Sequence, residues 1–259
     1  MTHALTDSAT MVRRNLRHMV RYPSVSLMLA GLPVIFLLLF VYVFGGTLGN
    51  GLAGAGGRTA YANYVAPGIL LMTVAAVAQG TAISVAMDMT EGIIARFRTM
   101  AIARVSVLTG HVVGAVLQTL LSLTIVVSVA LLVGFRPAAG IGGWLAAIGV
   151  LAAITFALTW SCVALGLVSK TVEAASNLPM PLILLPFLGS GFVPTDSMPT
   201  WLRVFAEHQP FTPFIESVRA LLMGSRAGGS VAITLAWCAG IALLSYLWAR
   251  KLFNRTPSR

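Results

Sequence analysis

The chain has 259 residues, 58% of them hydrophobic and only 9% charged, with a net charge of +10 and a mean hydropathy of +0.90. That balance excludes a disordered chain and an ordinary soluble domain. A charge of +10 is compatible with nucleic-acid binding, but here the basic residues alternate with long uncharged stretches, which is the pattern of a membrane surface.

Six stretches contain no Asp, Glu, Lys or Arg: 27–46, 61–87, 105–135, 137–169, 174–195 and 227–249. Each supplies the ~20 apolar residues that a helix needs to cross a hydrocarbon core. Lipid offers no hydrogen bonds to the backbone, so helices are the economical reading. With both ends cytoplasmic, the inner set of cations is Arg13, Arg14, Arg17, Arg21, Arg96, Arg98, Arg104, Lys170, Arg250, Lys251, Arg255 and Arg259. The outer set is Arg58, Arg136, Arg203, Arg219 and Arg226. Twelve of the seventeen therefore lie inside, and the opposite topology reverses the bias.

Residues 1–26 form a cytoplasmic segment without the pattern of a signal peptide: its polar part is long and carries Asp7 and four arginines. Val12, Leu16, Met19 and Val20 fall on one helical face, with arginines over much of the rest. Two readings stand, an interfacial amphipathic helix ended by Pro23 and a solvated basic tail. The first span ends at Gly45 and Gly46, and a glycine-rich outer loop follows. Pro67 and Gly68 predict a kink or late start in the second span.

Residues 88–104 form the most distinctive polar stretch. Thr90 is placed to cap a short helix, with Glu91 near its positive end and Arg96 and Arg98 toward its negative end. Ile93, Ile94, Phe97 and Met100 give that helix an apolar face at the cytosolic boundary. Short turns around Arg136 and around Lys170 join spans three to four and four to five as antiparallel neighbours. The fifth stretch carries Pro179, Pro181 and Pro186, then Gly189 and Gly191, and predicts a broken segment that either lines a path or packs as a kinked helix. Residues 196–226 are too charged to cross and too apolar to float. They read as short helices entering and leaving the outer leaflet, with Trp201 and Phe211 apolar, Pro210 and Pro213 supplying the break, and Glu216 and Arg219 spaced to pair. Tyr246, Trp248, Arg250 and Lys251 anchor the last span, and 250–259 is a basic cytoplasmic tail.

Little chemistry is visible. The seven acidic residues are scattered and none pairs with His or Cys at a ligand spacing. Cys162 and Cys238 read as packing residues, and His111 as an interfacial or packing residue rather than a proton relay. Lys170 and Thr171 follow Ser169 where a phosphate loop requires glycine, so the chain has no ATP loop of its own. The expectation is a conduit that is not an enzyme, binds no cofactor or metal, and is driven from outside its membrane domain.

The chain resembles the membrane subunits of ABC type-2 transporters, in particular the bacterial daunorubicin-resistance-type drug exporters. Tyr61 through Met72 is similar to that family's second-span opening, and Glu91 through Arg104 to its coupling segment. Gly189 through Pro194, then Met198 to Trp201, then Gln209 through Pro213 with Arg219, is similar to its outer re-entrant region. Gln209 departs from the family's frequent Asn, and Ala101 and Ile102 lack the proline that often follows the coupling helix.

The resemblance implies an all-α membrane protein of six spans (27–249) with an N-terminal interfacial helix and an outer re-entrant element at 196–226. It implies a bacterial inner-membrane permease with both termini cytoplasmic, paired with a second permease and two cytoplasmic ABC ATPase subunits that use ATP and Mg. Glu91, Arg96, Phe97, Arg98, Met100 and Arg104 would couple to the ATPase. Tyr64, Met72, Gln79, Asn177, Phe187 and Phe192 would line the path of an amphipathic or hydrophobic small molecule. A lipid or polysaccharide exporter of the same superfamily, and a membrane enzyme acting on lipid, are the alternatives.

Overall fold

The computed structural model describes residues 23–50, 57–91 and 104–255. The amphipathic segment at 1–22 lies outside the described residues, and so do Arg96, Phe97, Arg98 and Met100 of the coupling segment.

Among the described residues the chain is helical, with no strand. In chain order the elements are α1 (Pro23–Leu39), a π-helical turn (Phe40–Phe44), α2 (Gly45–Asn50), α3 (Arg58–Thr90), α4 (Arg104–Val133) and α5 (Ile141–Val168). They continue as α6 (Val172–Asn177), α7 (Met180–Leu184), α8 (Thr200–His208), α9 (Phe211–Leu222) and α10 (Gly228–Arg255), with 3-10 turns at Leu185–Leu188 and Thr195–Ser197. Five helical stretches are long and apolar enough to cross a membrane: Leu27–Gly49, Arg58–Thr90, Leu108–Val133, Ile141–Val168 and Gly228–Phe253. The fifth of the six uncharged stretches is not such a helix. It is the 17-residue run Val172–Leu188, interrupted at its prolines.

The core is built around α3. In its most apolar window 78% of residues are buried, against 17–39% in the other four candidate spans. Helices α1, α4, α5, α6 and α9 all pack on it. Small residues make this possible: Ala62, Ala66, Ala75, Ala78, Ala82 and Ala86 bring neighbouring helices close. At Gly166 of α5, an added Cβ would lie 2.6 Å from the Ala82 carbonyl oxygen of α3, so only glycine admits this approach.

One expectation is corrected along α3. Pro67 neither delays its start nor ends it, because the helix begins at Arg58 and runs to Thr90. Thr90 closes α3, its hydroxyl donating to the Met87 carbonyl while the Glu91 backbone N–H caps the end on the same oxygen; the short helix expected after it lies outside the described residues. The first span likewise runs from α1 through the π turn and past Gly45 and Gly46 in α2. The link from α4 to α5 is short, as expected. Gly134 turns it with φ +117°, and the Arg136 backbone N–H donates to Asn63 Oδ1 at 2.7 Å. Thr171 caps α6 by accepting from the Ala174 N–H.

Large apolar side chains cover the outside of the bundle: Met28 is 83% exposed, Leu132 85%, Ile141 83% and Leu244 70%. Spread over the full height of several helices, such a surface is a lipid- or partner-facing one.

Candidate functional site

The broken segment lies along α3, and the contacts between them run in opposite directions. Tyr61 Oη donates to the Phe192 carbonyl at 3.2 Å. Gly68 meets Gly191 so closely that a Cβ at 68 would stand 2.8 Å from the Gly191 oxygen. Further along α3, Gln79 Nε2 donates to the Ser176 carbonyl at 2.6 Å. From Tyr61 to Gln79 a helix rises ~27 Å. A segment with no continuous helix is thus extended along α3 for nearly the thickness of a hydrocarbon core.

The prolines explain the local shape. Pro179 and Pro181 flank the start of α7, and Pro186 lies in the 3-10 turn that follows. Each removes a donor, so the helix cannot continue. Past α7 a side chain reaches the backbone of the segment: Gln209 Nε2 donates to the Leu185 oxygen at 3.2 Å.

At the Tyr61 end of the seam, α9 grips this segment. Arg219 Nη2 donates to the Tyr64 backbone carbonyl of α3 at 3.2 Å and also to the Ser190 carbonyl of the broken segment. The guanidinium lies over the Tyr64 ring, 4.0 Å from its centroid. Burial lowers the Arg219 pKa from its ordinary value, with Tyr64 and Glu216 acting the other way. The guanidinium remains a cation, since nothing in a protein deprotonates it. Charge-assisted hydrogen bonds contribute ~1.5–3 kcal/mol and a desolvated cation–π contact up to ~2 kcal/mol. Glu216 and Arg219 do not form the contact pair their spacing suggested: among the described residues no such pair lies within bonding distance, and the cation is spent on carbonyls.

Helix α9 buries Phe211, Phe214, Ile215, Val218 and Leu222 against the bundle. Ser217 Oγ lies 2.8 Å from Thr234 Oγ1 of α10, and the Thr234 hydroxyl donates to the Pro213 carbonyl at 2.9 Å. Pro210 marks the break before α9, as expected. Pro213 does not; it sits in the first turn of α9, where its missing N–H costs nothing. Helix α8 presents Trp201, Val204 and Phe205 outward, 75%, 53% and 45% exposed.

A second cluster is aromatic. Phe187 and Phe192 stack with centroids 4.3 Å apart and an interplanar angle of 4°. Phe40 of the π turn packs on Phe192 at 4.6 Å, and Phe36 of α1 meets Phe187 edge-on at 5.5 Å. Four rings from α1, the π turn and the broken segment thereby share one junction.

The six residues expected on the path are distributed along this seam. Tyr64 is covered by Arg219, Phe187 and Phe192 stack together, Gln79 is bonded to the carbonyl beside Asn177, and Asn177 is exposed. Met72 is 1% exposed within the core and reaches no surface. Glu91 is exposed just past α3, and Arg104 opens α4. Phe36, Phe40 and Tyr61 were missed in the sequence, where aromatic residues in an apolar run carry no distinguishing signal. Asp88 was missed as well. It is buried, within 3.0 Å of His111, and belongs to α3 rather than to the loop. The clue was available, because both residues stand near the facing ends of two consecutive spans and so share a membrane depth.

With that geometry in place, comparison with known proteins decides the family. The family model of the ABC-2 type transporter matches residues 7–223. This chain belongs to the ABC-2 type transporter membrane family. It is 30% identical over 257 residues to the daunorubicin resistance ABC transporter permease protein DrrB1 of Streptomyces coeruleorubidus, covering 95% of this chain and 88% of that one. It is also 24% identical over 163 residues to a probable doxorubicin resistance ABC transporter permease protein DrrC of Mycobacterium tuberculosis, covering 63% of this chain and 59% of that one. An ABC-2 membrane family, together with the apolar helices, makes this a multi-pass membrane permease subunit.

Proposed function

We propose that this chain is the transmembrane subunit of an ATP-driven exporter that moves amphipathic or hydrophobic small molecules outward by alternating access. The observation that carries this reading is the seam between α3 and the broken segment, ~27 Å long by helical rise and lined by rings, amides and carbonyls. The same length supports counting the broken segment as a sixth crossing, which makes 27–249 a six-span domain with both termini cytoplasmic in a bacterial inner membrane.

Irregular backbone at membrane depth must be covered by protein or line a water-filled path. Leu178, Met180 and Leu184 of the broken segment are 49%, 54% and 50% exposed, which supports seating a second permease subunit over them. Cargo then passes between the two subunits. Residues 88–104 receive the motion of two cytoplasmic ABC ATPases, through Glu91, Arg96, Phe97, Arg98, Met100 and Arg104. ATP and Mg belong to those partners, and this chain binds no cofactor. Residues 196–226 cap the outer end as a re-entrant element, held shut by Arg219.

Inside-out vesicles carrying this chain and its companion ATPase should accumulate daunorubicin when ATP is added, and vesicles lacking either protein should not. Purified chain alone should neither bind nor hydrolyse ATP. Uptake without the ATPase, or hydrolysis by the chain alone, refutes the reading. ATP-dependent movement of a labelled phospholipid in place of the drug would instead favour the lipid exporter.

A further inference from the structure

Asp88 and His111 meet at the cytosolic end of the bundle, 23 residues apart in the chain, with His111 Nε2 donating to Asp88 Oδ2 at 3.0 Å. Their side chains are 13% and 10% exposed. Asp88 precedes the end of α3, and His111 follows the start of α4. One turn before them stand Val85 and Leu108, which belong to an apolar cluster with Val112, Trp160, Leu167 and Phe253, drawn from α3, α4, α5 and α10. This cluster is separate from the larger one that holds the seam.

A carboxylate in such a place is costly unless it is paired, and an apolar side chain would pack there at lower cost. What the pair adds is specificity. Any other rotation or height of α4 on α3 leaves a buried carboxylate without His111. The two helices are also the stems of residues 91–103, so a bond between them closes the base of that segment.

We propose that Asp88 and His111 are positioning residues that lock the two stems of the cytoplasmic segment together, so that a push on the segment moves α3 and α4 as one body. This rests on the reading that residues 88–104 meet the ATPase. A loose base would let the segment swing on its stems and dissipate the stroke. A locked base delivers it to α3, and through α3 to the seam.

The test is the amount of daunorubicin transported per ATP hydrolysed in vesicles containing both subunits. Asp88→Ala and His111→Ala should each lower that ratio about tenfold, a mid-range coupling for residues in contact. Membrane level and ATPase capture should stay at wild-type values, which a purely structural role would not predict. The double variant should be no worse than either single one, and the exchange Asp88→His with His111→Asp should restore most of the ratio. Asp88→Asn keeps the volume and one acceptor, so it is read on the same scale if the alanine variant fails to insert. Wild-type ratios in both single variants overturn the inference. Losses that multiply in the double variant, with no recovery in the exchange, overturn it too. Glu91→Ala with Arg96→Ala separates the two ideas. If that variant uncouples transport while the Asp88 and His111 variants do not, only the lock is wrong. If it also changes nothing, the coupling reading of 88–104 fails.

Discussion

At Arg219 one planar cation meets three elements at once: its own α9, the Tyr64 carbonyl and ring of α3, and the Ser190 carbonyl of the broken segment. A lysine cannot reproduce that arrangement, having neither the fork nor the flat face. Arg219→Gln removes the charge and costs about 2 kcal/mol of closed state. A cysteine at position 190, in a chain with Cys162→Ala and Cys238→Ala, should then react about thirtyfold faster with an impermeant thiol reagent from outside. An unchanged rate at wild-type membrane levels removes Arg219 as the latch. Ser217 and Thr234 act more locally. Both are fully buried, and their hydroxyls tie α9 to α10 through the Pro213 carbonyl. Thr234→Val should lower unfolding stability by about 0.5–1.5 kcal/mol, since it removes the Thr234 bonds while the Ser217 hydroxyl still donates to the Pro213 carbonyl. The thermal midpoint in detergent measures it. None of these partnerships was legible in the chain. The Glu216–Arg219 spacing suggested a helical pair, but one carbonyl of the broken segment and one of α3 bind the cation instead, and they arrive from 29 and 155 residues away.

At the scale of elements, the broken segment is the clearest success of reading the chain. Pro179, Pro181 and Pro186 predicted an interruption, and the helices stop where those residues remove donors. What composition could not supply is the course of the segment, stretched against α3 by contacts from Tyr61 to Gln79. The Gly68–Gly191 contact holds the middle of this path. Gly191→Ala would bring a Cβ within 2.6 Å of the Pro186 oxygen, and Gly68→Ala within 2.8 Å of the Gly191 oxygen. Each should destabilise the chain by about 1–3 kcal/mol and reduce export, because the neighbouring atoms are backbone and cannot move aside. Thermal denaturation of the two variants beside Gly149→Ala, where nothing lies within 4 Å, isolates the contact. Pro67 shows the opposite error. A proline in the middle of an apolar run suggested a kink or a late start, yet α3 starts nine residues before it, at Arg58, and continues through it.

For the molecule as a whole, the apolar outside and the exposed broken segment make different demands. Leu145 of α5 is 65% exposed on a regular helix and is at home in lipid, whereas Leu184 is 50% exposed beside a helix break. A cysteine at 184 should therefore cross-link between permease subunits under mild oxidation, and a cysteine at 145 should not. Equal cross-linking at both positions would place the subunit contact elsewhere. The topology has its own measurement. Cysteines near 197 and 226 should both label from outside, while one at 211 stays shielded, as the complete burial of Phe211 requires. Labelling of 226 only from the cytoplasm would mean that 196–226 crosses the bilayer, and the six-span count would fail.

The sequence alone determined that the chain is a helical membrane protein, because charge-free runs of ~20 residues have one stable form in lipid. It also determined the fifth segment's interruption through proline, and the family through ordered motifs on spans. Tertiary structure decided which residues work together. It set Asp88 in α3 beside His111, placed Met72 inside the core, and gave Arg219 to carbonyls rather than to Glu216. The physical reason is common to all three. Hydropathy and periodicity are local and tell how a residue meets lipid, but a polar group inside a membrane protein is satisfied by whichever distant segment packing brings to it.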